Sequence, residues 1–307
     1  MKSSFCKQSY LFEKTTKQLF EMKKILLPTD FSKNSWNAIC FALELFKTTE
    51  CLFYLVHTYT PILYNPELSL TSRRDLELMD ITRKNSQNRL KKTKERILEK
   101  YPNNKHQFET ISSFNTLQSE IDKLTEAHAI ELIVMGTKGA SGIQKLLFGT
   151  NTIHAIDKTK CPILAIPQQY SFSPLVKILF PTNYEVNFQK ETLKELLEIG
   201  TNNHSMIHVL NATYGYDLSA QQKENKLQLE KLFHGIAHLF HYVDNQNTEE
   251  TIENFKKNTP IDLIVMLRYK HTFFEKLFSS SLIHQIGFHL QKPLLVLPVL
   301  KKNGKSD

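Results

Sequence analysis

Glycines 136, 139 and 149, with Thr150 directly after the third, are the residues whose types and spacing best suit chemistry. The pattern is a glycine, two residues, a second glycine, nine residues, then a third glycine followed by a hydroxyl residue. Glycine at such points permits positive φ and lets the main chain come close to a ligand, so that backbone N–H groups can face phosphate oxygens. Met135 closes the apolar run Ile130-Glu131-Leu132-Ile133-Val134-Met135, which reads as a strand buried on both faces. Thr150 and Asn151 read as the cap of the next helix, whose first turn carries unpaired N–H groups and the positive end of a dipole. Lys138 could add charge to a bound anion or be a solvated loop lysine. No Gly-Lys-Ser/Thr ends the stretch and it is not G-x-G-x-x-G, so neither of those phosphate-binding signatures describes it. As bare turn residues, the three glycines would hold no ligand.

The elements that must position this loop follow in chain order. Lys24-Ile25-Leu26-Leu27-Pro28-Thr29-Asp30 is a strand stopped by proline, and a helix capped by Ser32 or Asn34 follows, with Ala38, Ile39, Ala42, Leu43 and Phe46 on its apolar face. Strands are expected at 52–57, 107–111, 131–135 and 162–167, with helices over 69–100 and 119–128 between them. Strands alternating with helices predict an α/β, doubly wound, parallel sheet, which takes ligands outside the carboxyl ends of its strands. Asp30 and the glycine loop both follow strand ends, so they belong to one rim. As an alternative, or in addition, Asp30 caps the following turn.

The loop resembles the nucleotide-binding loop of the universal stress protein family, G-x2-G-x9-G-(S/T), at every defined position. Pro28-Thr29-Asp30 resembles the family's first-strand P-[TV]-D. The resemblance implies a Rossmann-like fold and ATP, or AMP or ADP in its place, with magnesium. It places the phosphates on Gly136, Gly139, Gly149, Thr150 and Asn151, with Met135 and Lys138 among the binding residues beside them, and the base or ribose side on Asp30, with Pro28 and Thr29 leading to it. Backbone at Val56 and His57 would lie near adenine. Some members hydrolyse ATP slowly or autophosphorylate; no residue here stands out as a general base, so no catalytic residue is assigned. The function implied is that of a stress-response sensor or regulator. The family's other branch lacks ATP binding, which leaves a nucleotide-independent interaction or scaffold protein as the alternative.

The second half repeats the first. Lys177-Ile178-Leu179-Phe180-Pro181-Thr182-Asn183 echoes residues 24–30 at a displacement of 153, and Ile261 to Met266 and Lys292 to Pro298 echo residues 130–135 and 161–167 at 131. The domains expected are 22–169 and 176–300, joined by a linker at 170–175, with an extension at 1–21 and a polar tail at 301–307. The chemistry does not repeat: Leu267, Lys270 and Ser279-Ser280 stand where the glycines would be, and Asn183 replaces Asp30. A leucine Cβ would both disfavour positive φ and block a phosphate. The second half is therefore expected to be structural, pairing with the first as single-domain members dimerise through their last strand, and two chains could also associate. Phe273-Phe274-Glu275-Lys276-Leu277-Phe278 could fill its own vacant pocket or present an interaction surface.

Composition narrows the rest. Among 307 residues, 39 basic and 31 acidic ones give +8, without a concentrated patch. The run Arg89 to Arg96 is expected to cover a solvated helix face, with Leu90, Ile97 and Leu98 inward, which disfavours a nucleic-acid partner. Cys6, Cys40, Cys51 and Cys161 lack C-x-x-C spacing and read as reduced thiols of a cytoplasmic protein without a membrane span. Residues 1–21 read as a helical extension or a consequence of start-codon choice, since Met22 resembles a natural beginning. His234, His238 and His241 could share a helical face, unless His241 begins a strand with Tyr242-Val243-Asp244, as alignment with His106 and Phe108 suggests; no carboxylate or cysteine joins them at ligand spacing, so no metal is expected.

Overall fold

The computed structural model describes residues 22–60, 73–137, 149–213, 217–244, 248–268 and 292–299. Residues 1–21, Lys138, Gly139, Lys270, residues 273–278, Ser279 and Ser280 lie outside the described residues. Two compact units divide the chain between Val134 and Met135.

The first unit comprises β1 (Lys23–Pro28), α1 (Lys33–Leu45), β2 (Cys51–Tyr59), α2 (Arg73–Lys100), β3 (His106–Phe114), α3 (Leu117–His128) and the start of β4 (Leu132–Gly136). Its strand order is β3-β2-β1-β4, all parallel. Burial on both faces explains the near-continuous apolar runs: Ile25, Leu26, Leu27, Phe53, Leu55, Leu132 and Ile133 have no exposed surface. The sheet reverses its direction of winding between β1 and β4, the place where an open α/β sheet leaves a crevice. The strand β3 is longer than its short alternating core suggested, because it pairs with β2 in register from Cys51↔His106 to Tyr59↔Phe114.

The second unit contains α4 (Thr150–Lys158), β5 (Ile163–Ile166), β6 (Lys177–Pro181), α5 (Lys190–Asn202), β7 (Met206–Thr213), α6 (Ala220–Leu232), β8 (His238–Asp244), α7 (Thr248–Asn258), β9 (Leu263–Arg268) and β10 (Leu294–Pro298). Its order is β5-β10-β9-β6-β7-β8, parallel except where β10 runs antiparallel to β5. Residues 168–176 carry neither helix nor strand, and Tyr170 is held there by Ser173 Oγ at 3.0 Å.

The order β8-β7-β6-β9 repeats β3-β2-β1-β4. Small details repeat with it. Glu131 accepts a backbone hydrogen bond from Lys24 at 3.2 Å, and Asp262 accepts one from Lys177 at 2.9 Å.

The basic run on α2 is exposed at Arg89, Lys91, Lys92 and Arg96, as expected, and its side chains also pack: Arg89 stacks over Phe31 at 4.1 Å, Arg96 over Trp36 at 3.6 Å, and Lys94 donates to the Phe108 carbonyl at 2.8 Å. Cations on long apolar stems cover the aromatic surface of α1 and its turn. Leu98 is 49% exposed, whereas Leu90 and Ile97, seven apart, are buried. His238 and His241 belong to β8, beyond the end of α6, so the three histidines share no helical face. Among the described residues no group of three or more His, Cys, Asp or Glu could hold a metal, and no helix is long and apolar enough to cross a membrane. Cys51 and Cys161 are buried and Cys40 half-buried, all as free thiols.

Burial holds His57, His106, His208 and His241 below the ordinary value of 6.5. His208 Nδ1 and His241 Nε2 are 2.9 Å apart, which leaves room for one proton between two neutral rings. Each ring binds a proton more weakly folded than unfolded, so below about 6.5 the unfolded chain holds more protons. Stability is expected to be complete above that value and to fall as pH drops below it. A denaturant midpoint that is flat above about pH 7 and falls towards pH 5.5 would confirm this sign; one that rises on acidification would refute it.

Candidate functional site

At the end of β1, Thr29 N–H donates to the Val56 carbonyl at 2.8 Å, which ties the tips of β1 and β2 together. The buried Thr29 hydroxyl accepts from Phe31 N–H at 3.0 Å and lies 3.1 Å from Ser35 Oγ. Asp30 Oδ1 accepts from Ser32 N–H at 3.0 Å, so its carboxylate does organise the turn. Ser32, at the N-cap of α1, accepts from Ser35 N–H at 3.1 Å, as one of the two expected caps. These bonds hold Phe31 at φ 63°, a conformation few side chains adopt. Phe31 lies 4.5 Å from the His57 ring, centroid to centroid.

His57 reaches from β2 to α2. Its Nδ1 is 2.8 Å from Ser86 Oγ, which accepts from Ser112 Oγ at 2.7 Å. These contacts link β2 through α2 to β3. Burial and then the Arg89 cation depress the His57 pKa, while Asp30 opposes them, so the imidazole is neutral near pH 7. The structure thus brings Pro28, Thr29, Asp30, Val56 and His57 together at one end of the first unit. It adds Phe31, Ser86, Arg89 and Ser112, which sequence reasoning missed. The signal available was an aromatic residue after both Asp30 and Asn183, at Phe31 and Tyr184.

In the second unit, Met135, Gly136, Gly149, Thr150 and Asn151 gather between the end of β4 and the start of α4. Gly149 N–H donates to the Thr137 carbonyl at 2.6 Å, and the Thr152 hydroxyl donates to the Gly136 carbonyl at 3.0 Å. The expected cap is corrected: Gly149, at φ −68° and ψ 153°, is the N-cap, with no side-chain cap bond, and Thr150 is already helical. The side chains of Thr150 and Asn151 are exposed. The expected reason for Gly136 changes too. It is the last residue of β4, and Gly235 is the glycine with positive φ among the described residues. Backbone freedom is therefore not what glycine contributes there.

The corresponding turn of the second half is built alike and then closed. Thr182 Oγ1 accepts from Tyr184 N–H at 3.1 Å, Asn183 Oδ1 accepts from Glu185 N–H at 3.2 Å, and Tyr184 has φ 58°. Asn183 therefore does the structural work of Asp30 without its charge. Three amide side chains then take three consecutive carbonyls. Asn211 donates to Thr182, Gln222 to Asn183 and Asn225 to Tyr184, each at 2.8 Å.

Residues 21–167 match the sequence profile of the universal stress protein family. That segment, just under half of the chain, is that of a universal stress protein domain. A universal stress protein of Methanocaldococcus jannaschii is 28% identical over 145 residues, which are 47% of this chain and 81% of that protein. The crystal structure of a universal stress protein from Archaeoglobus fulgidus aligns over 90% of this chain and 98% of its own, with a TM-score of 0.64 at 17% identity. A functionally unknown protein from Pseudomonas aeruginosa aligns over 91% of this chain and 94% of its own, with a TM-score of 0.54 at 13% identity. These structures share the α/β, Rossmann-like universal stress fold read from the sequence.

Proposed function

We propose that this universal stress protein is a tandem member with domains at 22–169 and 176–300, and that its first half binds ATP, or AMP or ADP in its place. Gly136, Lys138, Gly139, Gly149, Thr150 and Asn151 hold the phosphates together with their magnesium, beside Met135, and Pro28, Thr29, Asp30, Val56 and His57 serve the base and ribose side. The observation that carries this reading is the start of α4. The start of α4 carries the positive end of the helix dipole, and its N-cap, Gly149, has no side chain to occupy a first-turn N–H group, which fits a phosphate. The amide clasp over Thr182, Asn183 and Tyr184 supports a structural second half. Occupancy then reports nucleotide levels to a stress-response partner, with at most slow hydrolysis or autophosphorylation, in a cytoplasmic protein. Exposed Leu239 and Tyr242 on β8, 49% and 52% accessible, favour a second reading in which the chain acts as an interaction protein without nucleotide.

Titration with ATP tests the choice. One nucleotide per chain is expected, and Asp30→Asn should weaken it several-fold while stability stays within about 0.5 kcal/mol, since Asn183 already makes the same turn. Two per chain would refute the silent second half. None at millimolar ATP would favour the interaction reading.

A further inference from the structure

Arg268 is the last residue of β9, one position beyond the leucine that stands where Gly136 stands in the first half. Its guanidinium reaches the far end of α4. Nη1 donates to the Ile156 carbonyl at 2.7 Å and also to that of Asp157, and Nη2 donates to the carbonyl of Thr159, the C-cap. Ile156 and Asp157 are carbonyls that the last turn of a helix leaves without intrahelical partners. One planar, permanently charged fork satisfies them together. The other end of α4 is held by Thr152 on the Gly136 carbonyl and by Gly149 on the Thr137 carbonyl. Its direction is therefore set at both ends, and the strand that sets the far end belongs to the degenerate repeat.

We infer that Arg268 is a positioning residue for the phosphate end of the first-half site: it fixes the axis of α4 and neutralises the negative end of its dipole, leaving the N-terminal end to act on phosphate. This rests on the proposed nucleotide site. A cation at a helix C-terminus stabilises the helix wherever it occurs. What distinguishes positioning is that the effect should scale with the phosphate charge of the ligand. Adenosine lacks the group that α4 would meet, so its affinity should not respond.

The test compares ATP and adenosine by calorimetric titration of the full chain as wild type, Arg268→Met and Arg268→Lys. Arg268→Met is expected to weaken ATP about fivefold and leave adenosine within about twofold, and Arg268→Lys, which keeps the charge on one donor group, should recover part of the loss. Where the Met chain does not fold, Arg268→Gln replaces it with the same expectation. Equal ATP affinity in wild type and Arg268→Met would overturn the inference and leave the site standing, as would a parallel loss of ATP and adenosine. A wild-type chain that binds neither would overturn the site and the inference with it.

Discussion

Replacing Gly136 by leucine is expected to raise the Kd for ATP by more than about 100-fold while the protein stays folded, a loss of roughly 2.7 kcal/mol or more. Gly136 closes β4, and its carbonyl takes the Thr152 hydroxyl at 3.0 Å, so the residue stands between the end of a strand and the first turn of a helix. A leucine side chain there would fill the space where a phosphate must approach main-chain N–H groups. The backbone itself should tolerate the change, because Gly136 does not have positive φ and Leu267 occupies the matching position of β9. Calorimetric titration beside a denaturant curve separates the outcomes. Unchanged affinity would remove Gly136 from the site. Loss of folding would assign it a structural role.

The second large effect lies in the repeat that the proposal calls structural. Phe180 on β6 has no exposed surface and meets Phe188 and Phe233 edge-on, with centroids 6.2 Å away in each case. Phe180→Ala should cost about 3–5 kcal/mol, the lost transfer energy plus the cavity left behind. The folded fraction should still bind ATP within about twofold, since no residue assigned to the nucleotide comes from β6. A lowered denaturant midpoint with unchanged Kd is the expected result. A Kd that worsens in step with stability would show that the second half shapes the site more widely than through Arg268.

The strands of this protein were legible because parallel strands covered on both faces must be apolar throughout, as Ile25 to Leu27 and Leu132 to Val134 are. The repeat was legible for the same reason, since Leu263 to Met266 meets an identical demand. The turn at Asp30 was legible through its proline and hydroxyl residues. Single-residue geometry was not. The cap at Gly149 and the extended conformation of Gly136 depend on how β4 and α4 approach each other, and residue types alone do not encode that. His238 to Asp244 carried two readings, because histidines three and four apart fit a helix while alignment with His106 and Phe108 suggests a strand, and the pairing of His238 with Ile207 decides for the strand. Arg268 offered no signal at all, because its partners are main-chain carbonyls more than 100 residues away and any residue type could have supplied them.

The antiparallel contact of β10 with β5, where Leu294, Leu295 and Val296 face Ala165, Leu164 and Ile163, has a consequence for how this molecule behaves on dilution. An open strand edge invites other chains, and here each of these two edges is occupied by a segment tethered to the same polypeptide. Tethering turns a bimolecular encounter into an intramolecular one with a high effective concentration. The contact therefore persists at the lowest expression levels, where a pair of separate subunits would fall apart. Gene dosage can change how many such molecules a cell holds without changing the fraction whose strands are paired.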